Sequence, residues 1–136
     1  MGRIVAQVEI SNPLEPDVRP LRCSMFVDTG AANVVLPSEW KSRLGRFQSS
    51  EPLELVLANQ EIVPGEICGP AAIHIEGFRK VFGEIAFMAM DRGEDGEFEP
   101  LLGYIPLEQA QVAVDMLGHR LVPVKYVDCK AIRPRR

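Results

Sequence analysis

The stretch FVDTGAANVVLP covers residues 26–37. It sets a carboxylate, Asp28, against a hydroxyl at Thr29, a glycine at Gly30 and a small side chain at Ala31. A lone aspartate after a strand most often forms a turn or caps a helix. Here apolar runs flank the loop on both sides, which predicts that it lies inside a domain. An ionised carboxylate in such a place costs several kcal/mol unless it is paired or shares a proton. Thr29 can hydrogen-bond neighbouring backbone, and Gly30 admits backbone geometry that other residues resist. These residue types suit a carboxylate held for general acid–base chemistry.

The elements that must hold this loop are short and β-rich. RIVAQVEI reads as a first strand with Ile4, Ala6 and Val8 on one face. LRCSMFVD reads as a second, with Leu21, Cys23, Met25 and Val27 on one face. NVVLP is a β-branched third strand ended by a proline. In SEWKSRLG, Ser38 fits an N-cap, residues 39–43 a single helical turn and Gly45 its stop. PLELVLANQEIVPGEI predicts a hairpin turning at Asn59–Gln60. AAIHIEG and KVFGEIAFMAM read as further strands, and DRGEDGEFEP as an exposed acidic loop. Pro106 fits the first turn of a short helix continued by residues 107–111. VAVDMLGHRLVPV reads as a closing hairpin. The expected fold is all-β, a small closed barrel with one or two short helices.

Composition narrows the function classes. The chain has 136 residues, 11 prolines and 11 glycines, which disfavours long helices. Its net charge of −4 argues against a nucleic-acid partner. No apolar run is long enough to span a membrane, and no signal-peptide h-region is visible. The three cysteines, Cys23, Cys68 and Cys129, have no CxxC spacing, so neither a disulfide framework nor a zinc site is expected. Reduced thiols point to a cytoplasmic protein. No metal or organic cofactor is called for. Residues 1–128 read as one domain and residues 129–136 as a basic, solvated tail.

DTGAANVVLP resembles the active-site stretch of the retropepsin-like aspartic proteases, the single-lobed group that includes bacterial and Ddi1-type domains. A second segment, LLGYIPLEQAQVAVDM, resembles that family's hydrophobic-hydrophobic-glycine run and the short helix after it. It begins about 70 residues downstream, at Leu101, Leu102 and Gly103. The resemblance covers about residues 4–127. It implies an acid-protease barrel and an aspartic endopeptidase with Asp28 as catalytic residue. Thr29 would cross-brace two loops, Gly30 would let a substrate strand approach, and Ala31 would keep the loop small. Leu101, Leu102 and Gly103 would support the loop from below. Leu57, Ala58, Asn59 and Gln60 would form the tip of a flap over an extended polypeptide. Viral members have glycine-rich flap tips, and this chain has no glycine there before Gly65. The charged ending YVDCKAIRPRR also differs from the terminal strands that viral members interleave.

Such hydrolysis needs two carboxylates sharing one proton. The chain contains the Asp-Thr-Gly triplet once. A homodimer must therefore bring two copies of Asp28 together. Two rivals stay open. The same fold could serve as a catalytically inactive peptide-binding or dimerisation module, or an unrelated small barrel could bind a small ligand. Elsewhere, Asp115 reads as a structural hairpin residue, His74 as a surface or satisfied residue and Trp40 as part of the core edge. Cys68 lacks a supporting histidine for nucleophilic work.

Overall fold

A computed structural model describes residues 3–125. The fold is mostly β. Nine strands form in chain order: β1 (Val5–Ser11), β2 (Leu21–Val27), β3 (Val34–Pro37), β4 (Ser49–Val56), β5 (Ile62–Ile75), β6 (Val81–Met88), β7 (Leu101–Leu102), β8 (Val112–Asp115) and β9 (Arg120–Pro123). A 3-10 helix spans Ser38–Leu44, and one α-helix, α1, spans Tyr104–Gln109. The expected tail at residues 129–136, and Cys129 with it, lies outside the described residues.

The main sheet closes on itself. Its order is β1-β2-β7-β3-β6-β5-β4, and β1 also pairs with β5. Six strands thus form a ring, and β4 extends it as the outer arm of the β4–β5 hairpin. Closure removes free strand edges, which are otherwise templates for unwanted pairing. The inward faces follow from alternation. Along β1, Ala6, Val8 and Ile10 are buried while Val5 and Gln7 face water. Along β2, Leu21 and Met25 are buried, with Cys23 and Val27 packed against the core. Phe47 and Phe87 meet at 6.1 Å inside the ring, which Leu36, Ile73, Ile85 and Leu102 help fill.

Three local expectations are corrected. The second arm of the 52–67 hairpin and AAIHIEG read as separate strands, but β5 runs through both, with a shift of register between Cys68 and Ala71. Pairing on both sides carries the strand through: β4 and β6 before the shift, β6 and β1 after it. Ser38 is not the helix cap. Pro37 holds that position in extended conformation, with no side-chain cap bond, because β3 continues up to it. Pro106 lies in the first turn of α1, but the helix stops before Gln111, which takes φ 59°. The N–H groups of Tyr104 and Ile105, its first residues, bond outside the helix, as described below. Gly45 does end the first helix, at φ 78°.

The ring makes a packing prediction. Leu102 is fully buried at the strand between β2 and β3. Leu102→Ala is expected to cost about 2–5 kcal/mol in urea unfolding. Val5→Ala, on the outer face of β1, is expected to stay within about 0.5 kcal/mol.

Candidate active site

Asp28 follows β2 directly, and its neighbours in space are set by β7. That two-residue strand lies parallel to β2, pairing Phe26 with Leu101 and Val27 with Leu102. It lies antiparallel to β3, pairing Val34 with Leu102 and Val35 with Leu101. The Leu101–Gly103 segment is therefore threaded between the two strands that the Asp28 loop connects. The two motifs read in the sequence are brought together.

The hydrogen bonds continue past the strands. Asp28 N–H donates to the Leu102 carbonyl at 3.0 Å. Gly103 N–H donates to Asn33 O at 3.0 Å, Tyr104 N–H to Ala31 O at 2.9 Å and Ile105 N–H to Ala32 O at 2.9 Å. The first N–H groups of a helix have no partner within it. Here two of them are satisfied by the far limb of the Asp28 loop. Gly103 is buried against the same limb. A Cβ there would lie 2.4 Å from Asn33 O and 2.6 Å from Ala31 O, both backbone atoms. Only glycine fits this contact.

The loop itself is a tight turn. Asp28 Oδ1 accepts the Gly30 N–H at 2.9 Å, and Asp28 O accepts the Ala31 N–H at 3.1 Å. The carboxylate is thereby aimed by its own loop. Two expectations change. The loop is not enclosed: Asp28 is half-buried, and Thr29 and Gly30 are exposed. A single chain wraps only one side of it. Gly30 does not adopt a left-handed φ. Its glycine identity answers to proximity instead, since a Cβ would sit 3.1 Å from Asp28 Oδ1. Among the described residues the Thr29 side chain has no hydrogen-bond partner.

Asp28 opens into a cleft of about 630 Å³. Ile4, Phe26, Val27 and Leu101 make its apolar floor, and Thr29 stands beside Asp28. Arg3 and Glu99 flank it, 3.5 Å apart, with the Arg3 guanidinium 4.6 Å from the Phe26 ring centroid. Val114, Met116 and His119 of the β8–β9 hairpin complete the wall. The sequence reading named none of Arg3, Glu99, Met116 or His119. Met116 and its neighbour Leu117 left one trace, apolar residues where a hairpin turn is ordinarily polar.

The predicted flap tip is a hairpin turn but lies outside this cleft: none of Leu57, Ala58, Asn59 and Gln60 lines it. Leu57 N–H donates to Glu61 O at 2.8 Å, and Asn59 Oδ1 accepts the Glu61 N–H at 3.0 Å. Gln60 takes φ 71°, which completes the turn. At the other end of the hairpin, Lys41 donates to Glu66 at 2.6 Å and Ser50 Oγ also donates to it. Both bonds hold the Glu66 carboxyl below the usual carboxylate range, Lys41 having the larger effect. Cys68 is fully buried, its thiol directed to Ser50 Oγ at 3.4 Å, in keeping with a structural residue. Asp115 is likewise structural, held below its ordinary value by the Gly118 N–H and by Arg120.

Among the described residues no group of histidine, cysteine and acidic side chains could hold a metal ion, and no helix is long and apolar enough to cross a membrane. A scan against protein-family profiles and a comparison with curated proteins both find no match to the chain.

Two outcomes are expected. Gly103→Ala must push the 31–33 backbone away, costing about 1–3 kcal/mol in chemical unfolding and displacing the Ala31 and Ala32 amide resonances. For Glu66 the folded pKa is depressed, so its contribution is present above the ordinary value of 4.5 and lost as pH falls through the lowered one. Lys41→Met should move the Glu66 titration upward by NMR and flatten the loss of stability on acidification.

Proposed function

We propose that the chain is one subunit of a homodimeric aspartic endopeptidase of the retropepsin-like kind. One observation supports this above the rest. The Leu101–Gly103 segment passes between the strands on either side of the Asp28 loop and bonds both limbs of it. That is the support which the resemblance assigns to Leu-Leu-Gly. The closed ring of six strands agrees with the small barrel of that family. The half-buried carboxylate, the exposed Thr29 and Gly30 and the open cleft agree with a site that one chain leaves incomplete.

In this reading two Asp28 side chains meet at a two-fold axis and share one proton. Like charges so close cannot both ionise. The charged carboxylate takes a proton from water as its oxygen attacks the peptide carbonyl. The protonated one donates to the carbonyl oxygen. Collapse of the tetrahedral species breaks the C–N bond, and the amine leaves with a proton. The Gly30 N–H bond to Asp28 Oδ1 fixes the carboxylate while this happens. An extended substrate would lie over Phe26 and Leu101, adding main-chain hydrogen bonds as a strand does. Side chains flanking the cut bond would be apolar, to match that floor. The β4–β5 hairpin is the candidate flap, closing to exclude water.

The decisive assay is cleavage of a peptide library from about pH 3 to about pH 8, run beside Asp28→Asn. Wild type should cut, and the variant should lose about 10²–10⁴-fold or more. Mixing wild type with excess variant should suppress the remaining activity, because each mixed pair holds one carboxylate. Equal inertness of the two proteins would leave the non-catalytic peptide-binding module as the better account.

A further inference from the structure

The β8–β9 hairpin ends in Met116, Leu117, Gly118 and His119. Hairpin tips stand in water and are ordinarily built from polar turn residues. Here Leu117 is 95% exposed and Met116 63%, and no other large apolar side chain among the described residues is as exposed as Leu117. The tip is also stapled. Asp115 accepts the Gly118 N–H at 3.0 Å and the Arg120 Nε–H at 3.0 Å, and His119 takes φ 52° to complete the turn. A Cβ on Gly118 would displace the Asp115 carboxylate, 2.5 Å away. The stem is anchored by Val112, which is buried, and by Val114 and Leu121, which pack on the core. A single exposed leucine needs no explanation. A Met–Leu pair held outward by a braced turn, on a stem rooted in the core, has the form of an anchor.

We propose that this tip is the main subunit contact, with Met116 and Leu117 packed against a second copy of the chain. The proposal rests on the homodimeric reading above and names the surface that makes the dimer. Position selects a second copy as the occupant. Met116 and His119 line the same cleft as Asp28 and Thr29, so a body seated on the tip also lies across the mouth of the half-built centre. Tyr104 and Ile105, both exposed, flank the same loop through their N–H bonds to Ala31 and Ala32. Exposed apolar residues next to the loop suit an isologous contact, in which each copy presents the same surface. A hairpin contact of this kind lies within residues 112–123. It does not call on the charged ending for an interleaved terminal strand.

The test is sedimentation velocity over a concentration series for wild type, Leu117→Asp and Met116→Ser, with peptide hydrolysis measured on the same samples. Leu117 is so exposed that its replacement leaves the monomer fold intact, checked by circular dichroism. Leu117→Asp is expected to raise the dimer dissociation constant at least about thirtyfold, as loss of an interface anchor does, and Met116→Ser to raise it less. Activity per chain should fall in step and recover at high protein concentration. An unchanged dissociation constant in Leu117→Asp overturns the proposal, whether or not wild type cuts peptides. So does weaker peptide binding with the dimer intact, which would make the tip a substrate contact. A dimer that Leu117→Asp disrupts, but that hydrolyses nothing, upholds the interface and removes the protease reading alone. A wild-type chain that stays monomeric at every concentration overturns both.

Discussion

The structure around Asp28 depends on where the start of α1 sends its N–H groups. A short helix leaves its first donors unpaired, and burying them unpaired is costly. In this chain Tyr104 and Ile105 give theirs to Ala31 and Ala32, and Gly103 just before them gives its own to Asn33. That transaction requires near contact of two backbones, and Gly103 is what permits it. From the other side, Asp28 N–H is held by Leu102 O. The Asp28 loop is thus gripped at both limbs by one continuous segment, residues 102–105. A carboxylate on an exposed turn would otherwise sample many positions. Here its backbone is fixed by main-chain bonds, and its side chain by Gly30 N–H.

The same arrangement explains why the site looks unfinished. Fixing the loop from beneath leaves its top, Thr29 and Gly30, in water. The cleft beside it has an apolar floor but a charged rim at Arg3 and Glu99, with Met116 in its wall and Leu117, next in the chain, exposed. In the proposed reading the floor takes a substrate and the face across the loop a second subunit. The β4–β5 hairpin belongs to a different part of the construction. It is bound at its base by Lys41, Ser50 and Glu66 and carries a well-defined turn at its tip. Neither feature ties the turn to the cleft.

The pattern of residues made much of this legible. Alternation in RIVAQVEI and LRCSMFV assigned the buried faces of β1 and β2, because side chains on a strand change sides at every step. The Asp28 loop and the Leu101–Gly103 segment were both singled out, and they are neighbours. The misses have a common cause. The second arm of the 52–67 hairpin and AAIHIEG were read as separate strands, yet pairing on both sides sustains β5 through both. Gly30 was read as a conformational device, and it is a proximity device. The helix was expected to continue to Gln111, and it ends at Gln109 because Gln111 takes φ 59°.

By itself the sequence determined the period-two faces, the turn-forming sites, the single Asp-Thr-Gly triplet and hence the count of one candidate catalytic carboxylate per chain. These are local properties, written in residue type and spacing. The tertiary structure decided how far Asp28 is exposed, which glycine the loop cannot lose, and that Arg3, Glu99, Met116 and His119 share its cleft. Burial and cleft walls depend on which distant segments a closing sheet brings together, and sheet closure is a property of pairing between strands that no single stretch of chain contains.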